Sequence, residues 1–262
     1  MANAAPSVCC LCLTADRQAF TDRAVACFVS QTYAGNAHML IYDTGKVPYK
    51  LTDRAAHSLV AIVRDRQPEE SRKVGALRNA ALELTGADVI VTFDSDDWSG
   101  PERVVCQVAS LRDQPATGFH NLLFLDTRFT VPSKANPQRT AEAWEYDYKR
   151  FGGYNSIRPL VVGTSLAYWR ETWRNAAFSE KLTYEDPDFC KRVRVNAVNG
   201  VGLPSVLPGP MLIAETHGDN ISGSFWSSSE AGHLFDRHKP HINPEWRRAP
   251  EWDAYARDRL YP

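Results

Sequence analysis

Val89-Ile90-Val91-Thr92-Phe93, running straight into Asp94-Ser95-Asp96-Asp97, is the stretch whose reading decides the fold. An unbroken apolar run of this length, with β-branched residues and no polar alternation, predicts a strand buried on both faces, as in a parallel sheet covered by helices. The run ends abruptly in three acids within four residues. In open α/β sheets ligands sit outside the carboxyl ends of the strands, so the acids fall where a site is expected. Carboxylates this close repel one another unless a cation or protons neutralise them, and a divalent metal carrying a phosphorylated substrate satisfies that need economically.

Working outward, residues 8–13, 38–42 and 59–63 are further apolar runs read as strands. Between the first two, Ala24, Val25, Cys27 and Phe28 recur at helical spacing within 21–31, and residues 71–84 read as a second helix stopped by Gly86. After the acids, Ser99-Gly100-Pro101-Glu102 combines a capping box with an early proline and predicts a helix to about Arg112. This alternation predicts a parallel, doubly wound sheet. From Asn121 the pattern changes to a mixed extension, with strands over 122–125, 129–131 and 160–169 and a helix opened by Asp186-Pro187-Asp188. The chain past Gly223 is polar and rich in aromatics, histidine and proline, a tail that wraps the domain or covers the site.

Composition narrows the function. With 262 residues, 44% hydrophobic, 23% charged and a formal net charge of −1, the chain presents no electrostatic case for nucleic acid or anionic membrane as partner. It shows neither a spanning apolar stretch nor a signal-peptide pattern, so the expectation is a cytoplasmic protein without a membrane span. The six cysteines read as reduced core residues, three of them crowding the first strand. Other acid motifs fail on inspection: an EF-hand counted from Asp94 would put Trp98, Ser99 and Val105 where ligands and glycine are required.

Four segments together carry a resemblance: Thr14-Ala15-Asp16-Arg17, Ile41-Tyr42-Asp43-Thr44-Gly45, Gly75 with Arg78-Asn79, and Asp94-Ser95-Asp96-Asp97. Their order and rough spacing resemble a family 2 glycosyltransferase of the GT-A fold, whose motifs run Thr-x-Asn-Arg, Asp-Asp-Gly-Ser, Gly-x-x-x-Arg-Asn and Asp-x-Asp-Asp. The chain departs from that pattern at Asp16, at Thr44, and by one residue between Gly75 and Arg78. The resemblance covers roughly residues 7–222. It implies a Rossmann-like, mostly parallel central sheet flanked by helices, with a nucleotide-binding half over about 7–112, a mixed acceptor half over about 120–222, and the tail at 223–262.

The same resemblance implies roles. Thr14, Arg17, Asp43, Arg78, Asp94 and Ser95 would bind the nucleotide, Asp43 accepting the imide proton of a uracil-like base. Asp96 and Asp97 would hold Mn2+ or Mg2+ against the diphosphate, joined by His217 of Thr216-His217-Gly218-Asp219-Asn220, since imidazole suits Mn2+. Glu185-Asp186-Pro187-Asp188 resembles the family's Glu-Asp-x-Asp segment, which makes Asp186 the base for the acceptor hydroxyl; Asp186 before a proline is also a good helix N-cap, and Glu185 is the other candidate base. Gly163 and Thr164, with Trp144, Tyr154 and Asn220, would meet the donor or acceptor sugar. The expected activity is metal-dependent, inverting, non-processive transfer from a nucleotide-diphosphate sugar, UDP ahead of GDP or dTDP, to a carbohydrate or other hydroxyl acceptor. The alternatives are a sugar-nucleotide nucleotidyltransferase, which would normally show a glycine-rich loop after the first strand, and a non-catalytic carbohydrate-binding protein of the same fold.

Overall fold

A computed structural model describes residues 4–66, 73–127, 142–147, 161–181, 185–201, 210–217, 246–248 and 258. In chain order the elements are β1 (Val8–Thr14), α1 (Gln18–Val29), β2 (Ala37–Asp43), β3 (Val60–Arg64), α2 (Val74–Leu82), β4 (Val89–Thr92), β5 (Trp98–Ser99), α3 (Arg103–Leu111), β6 (Ala116–Asp126), β7 (Glu142–Asp147), β8 (Ala167–Trp169), α4 (Arg170–Asn175), α5 (Glu185–Arg192), β9 (Val195–Asn199), β10 (Leu212–Thr216) and β11 (Trp246–Arg248). The sheet runs β11-β7-β6-β8-β4-β1-β2-β3. Its β4-β1-β2-β3 half is wholly parallel. The antiparallel strand β8 then hands the sheet to β6, which pairs in parallel with β9 and β10 and antiparallel with β7. The parallel half is the one expected from the strand-helix alternation, and the whole α/β architecture is consistent with the GT-A, Rossmann-like fold that the resemblance implies.

The apolar runs form strands because both faces of the parallel half are covered. Along β1, Cys9 and Leu11 join one core with Ala81 and Leu82 of α2 and Phe189 of α5, while Val8, Cys10 and Cys12 join the opposite core with Ala24 and Phe28 of α1 and Leu111 of α3. All six cysteines are free thiols, five of them buried; desolvation pushes Cys9 up to about 12, which leaves it an inert core residue.

Several boundaries differ from the sequence reading. The capping box is not used: Ser99 belongs to β5, paired with Leu212 of β10, and its hydroxyl accepts from Arg103, so α3 starts at Arg103. Tertiary pairing with β10 overrides the local cap. The strand expected over 160–169 is a 3-10 turn at Gly163–Ser165 followed by only three strand residues. In the other direction, β6 is much longer than 122–125, because β7, β9 and β10 all pair with it. Helix α2 occupies a shorter span than 71–84, and the strand expected at 129–131 lies outside the described residues. Within the tail, β11 returns to the sheet and pairs with β7.

Candidate active site

The parallel register sets Thr14 beside Asp43 and Leu11 beside Thr92, so the loops leaving β1, β2 and β4 emerge together at the carboxyl edge. After β4 the Phe93 amide donates to Leu11 O at 2.8 Å, prolonging the strand by one residue before the acids begin. The Asp97 amide then turns back to Asp94 O at 3.4 Å. Three adjacent acids of one type thereby acquire three different environments.

Asp94 faces Arg78 Nη2 at 3.6 Å. Asp96 Oδ2 accepts from Arg17 Nη1 at 2.9 Å and lies 3.1 Å from His217 Nε2. Burial works against the charged form of Asp96, but the His217 hydrogen bond and the Arg17 guanidinium outweigh it and hold the carboxyl below its usual range. Asp97, only 4% exposed, points inward: its Oδ2 accepts from the Thr164 hydroxyl and its Oδ1 from the Glu215 amide at 3.3 Å. Burial first, then the charges of Asp96 and Asp94, push Asp97 well above the ordinary carboxylate range. Ser95 is buried in the turn between them.

Asp96 and His217 are the residues here that could hold a divalent ion. A hard carboxylate oxygen and an imidazole nitrogen converge there, donor types that suit a divalent ion, and such an ion would have to displace the Arg17 guanidinium from Asp96 Oδ2, because two cations on one oxygen repel. Among the described residues no cluster of three or more such ligands occurs. A metal delivered on a diphosphate needs only one or two protein donors, because phosphate oxygens and water complete the shell. Asp97 turns its two oxygens to Thr164 and to the Glu215 amide.

The residues that seat this corner were not legible in the sequence. The His217 ring stacks on Phe20 of α1 with centroids 4.7 Å apart. Arg23 Nη2 donates both to the Asp96 main-chain oxygen at 2.5 Å and to Glu215 Oε2 at 2.7 Å, and Thr127 Oγ1 donates to the other Glu215 oxygen at 3.0 Å. No local pattern marks these side chains; the Arg23–Glu215 pair spans 192 positions.

On the other side of the acids stands Asp186. Helix α5 begins at Glu185, so Asp186 lies in its first turn and is not the residue preceding it; the N-cap explanation of this aspartate is set aside. Its carboxyl rests directly over Gly163, where an added Cβ would come within 1.5 Å of Asp186 Oδ2. Burial, and then the neighbouring Glu185 charge, push Asp186 up to about 7, with Arg78 offsetting part of the rise. Glu185 is buried and accepts from Arg78 Nε at 3.4 Å. Arg78, 6% exposed on the inner face of α2, thus lies between Asp94 and Glu185 and joins the two halves of the site. Desolvation disfavours its charge, yet Asp94 and Glu185 more than compensate and raise its pKa. Asn79 holds the 173–178 segment, accepting from Trp173 Nε1 at 2.9 Å and the Phe178 amide at 3.0 Å while donating to Phe178 O at 2.8 Å.

The loops after β1 and β2 are zipped together. Asp43, 1% exposed, accepts from the Gly45 amide at 2.9 Å and the Tyr49 amide at 2.8 Å, with Arg64 Nη1 at 3.4 Å. Both its oxygens organise the loop. Asp16, at φ 57°, accepts from the Val47 amide at 2.7 Å, and its own amide lies so near Gly45 that a Cβ there would sit at 2.6 Å. The Thr14 hydroxyl is bonded to that of Thr21 at 2.7 Å. Tyr154 and Asn220 lie outside the described residues, and Trp144 is described only as the β7 position paired with Phe124 and Arg248.

No family model matches the chain, and no curated protein matches it. Among solved structures it is similar to S. aureus TarS at 14% identity: to TarS 1–349 with a TM-score of 0.47, covering 80% of this chain and 60% of that one. For the TarS 1–349 complex with UDP-GlcNAc the TM-score is 0.49, covering 82% and 60%, and for the complex with UDP it is 0.47, covering 81% and 61%. The chain therefore spans about 60% of the length of these structures.

Proposed function

We propose that the chain is a metal-dependent, inverting, non-processive glycosyltransferase that moves a sugar from a nucleotide-diphosphate donor, a UDP-sugar foremost, to a carbohydrate or other hydroxyl acceptor. One observation carries the reading. The corner of Asp96, His217 and Arg17 and the carboxyl of Asp186, raised to about 7, lie on two sides that Arg78 joins through Asp94 and Glu185. A hydroxyl attacking a sugar needs its proton removed, and a base whose pKa lies near the working pH does this best. The departing nucleoside diphosphate needs positive charge, which Arg17 supplies in part. A divalent ion bound by Asp96 and His217 would supply the rest by bridging the phosphates. Glu185 is engaged by Arg78, which favours Asp186 over Glu185 as the base.

The test is a thermal-shift screen of nucleotide sugars, UDP-GlcNAc among them, with and without Mn2+, followed by nucleotide release assays on each donor that shifts. Ligands that bind only the folded state raise the melting temperature, by an amount equivalent to about 2.7 kcal/mol at a hundredfold excess over Kd. The expected result is a shift with donor plus Mn2+ that Asp96→Asn abolishes. Absence of any shift with any donor in the presence of Mn2+ refutes the proposal, and pyrophosphate release from a nucleoside triphosphate plus sugar phosphate replaces it with a nucleotidyltransferase.

A further inference from the structure

Beneath the two sides of the site runs a buried network that the proposed chemistry does not use. Arg103, fully buried, donates through Nη2 to Thr92 O at 2.5 Å and to Thr164 O at 2.8 Å. Its Nη1 donates to Ser99 Oγ at 2.7 Å, and its guanidinium lies 5.1 Å from the centre of the Phe93 ring. One nitrogen thus ties the last carbonyl of β4, two residues before the first of the acids, to the 3-10 turn on which Asp186 rests at Gly163. Above it the Thr164 hydroxyl donates to Asp97, whose other oxygen takes the Glu215 amide, two residues before His217. Gln107 adds a further tie from α3 to Ser165 O at 2.5 Å.

We infer that Thr164, with Arg103 beneath it, is a positioning residue: through Asp97 it locks the spacing between the Asp96–His217 corner and Asp186, and it does not contact the transferred sugar. This inference rests on the glycosyl-transfer reading for its kinetic consequence and on hydrogen bonding alone for its structural one. A donor held on one wall and a base on the other react only at the right separation, and a displacement of about 1 Å can lower the rate roughly 100-fold. The asymmetry between the hydroxyl and the methyl of Thr164 makes the inference testable, because valine keeps the shape and loses the bond.

Thr164→Val is expected to lower kcat roughly 10- to 100-fold with every donor alike. Donor KM should stay within about threefold, since a loss confined to kcat marks an interaction realised only in the transition state. Thr164→Ser, which keeps the hydroxyl, restores kcat, and Arg103→Lys, which keeps charge but loses the fork, reproduces the valine loss. A rise in KM that depends on the donor sugar would instead make Thr164 a sugar contact and overturn the inference. Amide hydrogen exchange gives a second readout that needs no turnover. In Thr164→Val the Glu215 and Leu166 amides should exchange about tenfold faster, as a lost buried hydrogen bond implies, and they should recover in Thr164→Ser. Unchanged exchange overturns the inference whether or not the chain is a transferase, whereas failure of wild-type turnover with altered exchange refutes only the glycosyl-transfer reading.

Discussion

Replacing Gly163 with alanine inserts one methyl group directly into the position held by the Asp186 carboxylate. The new Cβ would lie 1.5 Å from Oδ2, 2.3 Å from Cγ and 2.8 Å from Cβ of Asp186, where ordinary contact begins at 3.4 Å. The carboxylate must therefore retreat by about 2 Å, or α5 must shift with it. A general base works within about 2.6–3.2 Å of the proton it takes, so a retreat of this size removes it from reach. The expected loss in kcat is at least about 100-fold, or about 2.7 kcal/mol of barrier. Overpacking should also cost about 1–3 kcal/mol of stability. Gly86→Ala is the matched control, because a Cβ there meets nothing within 4 Å. The assay is steady-state transfer with donor and acceptor varied in turn, alongside thermal unfolding of both variants. A Gly163→Ala protein that keeps kcat within about threefold of wild type and melts at the wild-type temperature would refute the assignment of Asp186 as the base seated on this glycine, since no catalytic displacement of that magnitude would then have followed.

Three further predictions concern neighbouring groups. Because Asp186 is raised from 3.8 to about 7, its contribution to stability is fully present below about pH 4 and is lost as pH rises through 7; Asp186→Asn should thus melt at least about 2 °C above wild type at pH 8, with the difference closing in acid, and should transfer no sugar. Wild-type kcat should rise with pH to a plateau above about 7, and Glu185→Gln should move that limb to lower pH, because the Glu185 charge helps to raise Asp186; complete loss of turnover without a displaced limb would assign the base to Glu185. Asp43→Asn leaves the Gly45 or Tyr49 amide facing another N–H and should destabilise the fold by about 1–3 kcal/mol in denaturant titration, with an unchanged midpoint counting against the loop role given to Asp43.

Much of the architecture could be read from the residues in order. Apolar runs without polar alternation become strands covered on both faces, and the placement of Asp94 to Asp97 after such a run points to the candidate site by topology alone. Helix α1 buries the face that its spacing marks. The reading failed where a distant strand intervened. Ser99 looks like a cap until β10 pairs with it, and residues 160–169 look like one strand until the turn under Asp186 breaks them.

What the residues determine by themselves is therefore the class of fold and the edge where chemistry is placed, because burial patterns and turn signals act over a few neighbouring positions. What only the tertiary structure decided is the direction each acid faces. Asp94, Asp96 and Asp97 are alike in type and adjacent in the chain, yet one meets Arg78, one meets Arg17 and His217, and one turns inward to Thr164 and Glu215. Those partners arrive from as far as 121 positions away. Arg78 and Arg103 carry no local signal of burial, yet both are buried, since a guanidinium goes inside only where packing supplies the oxygens to receive it.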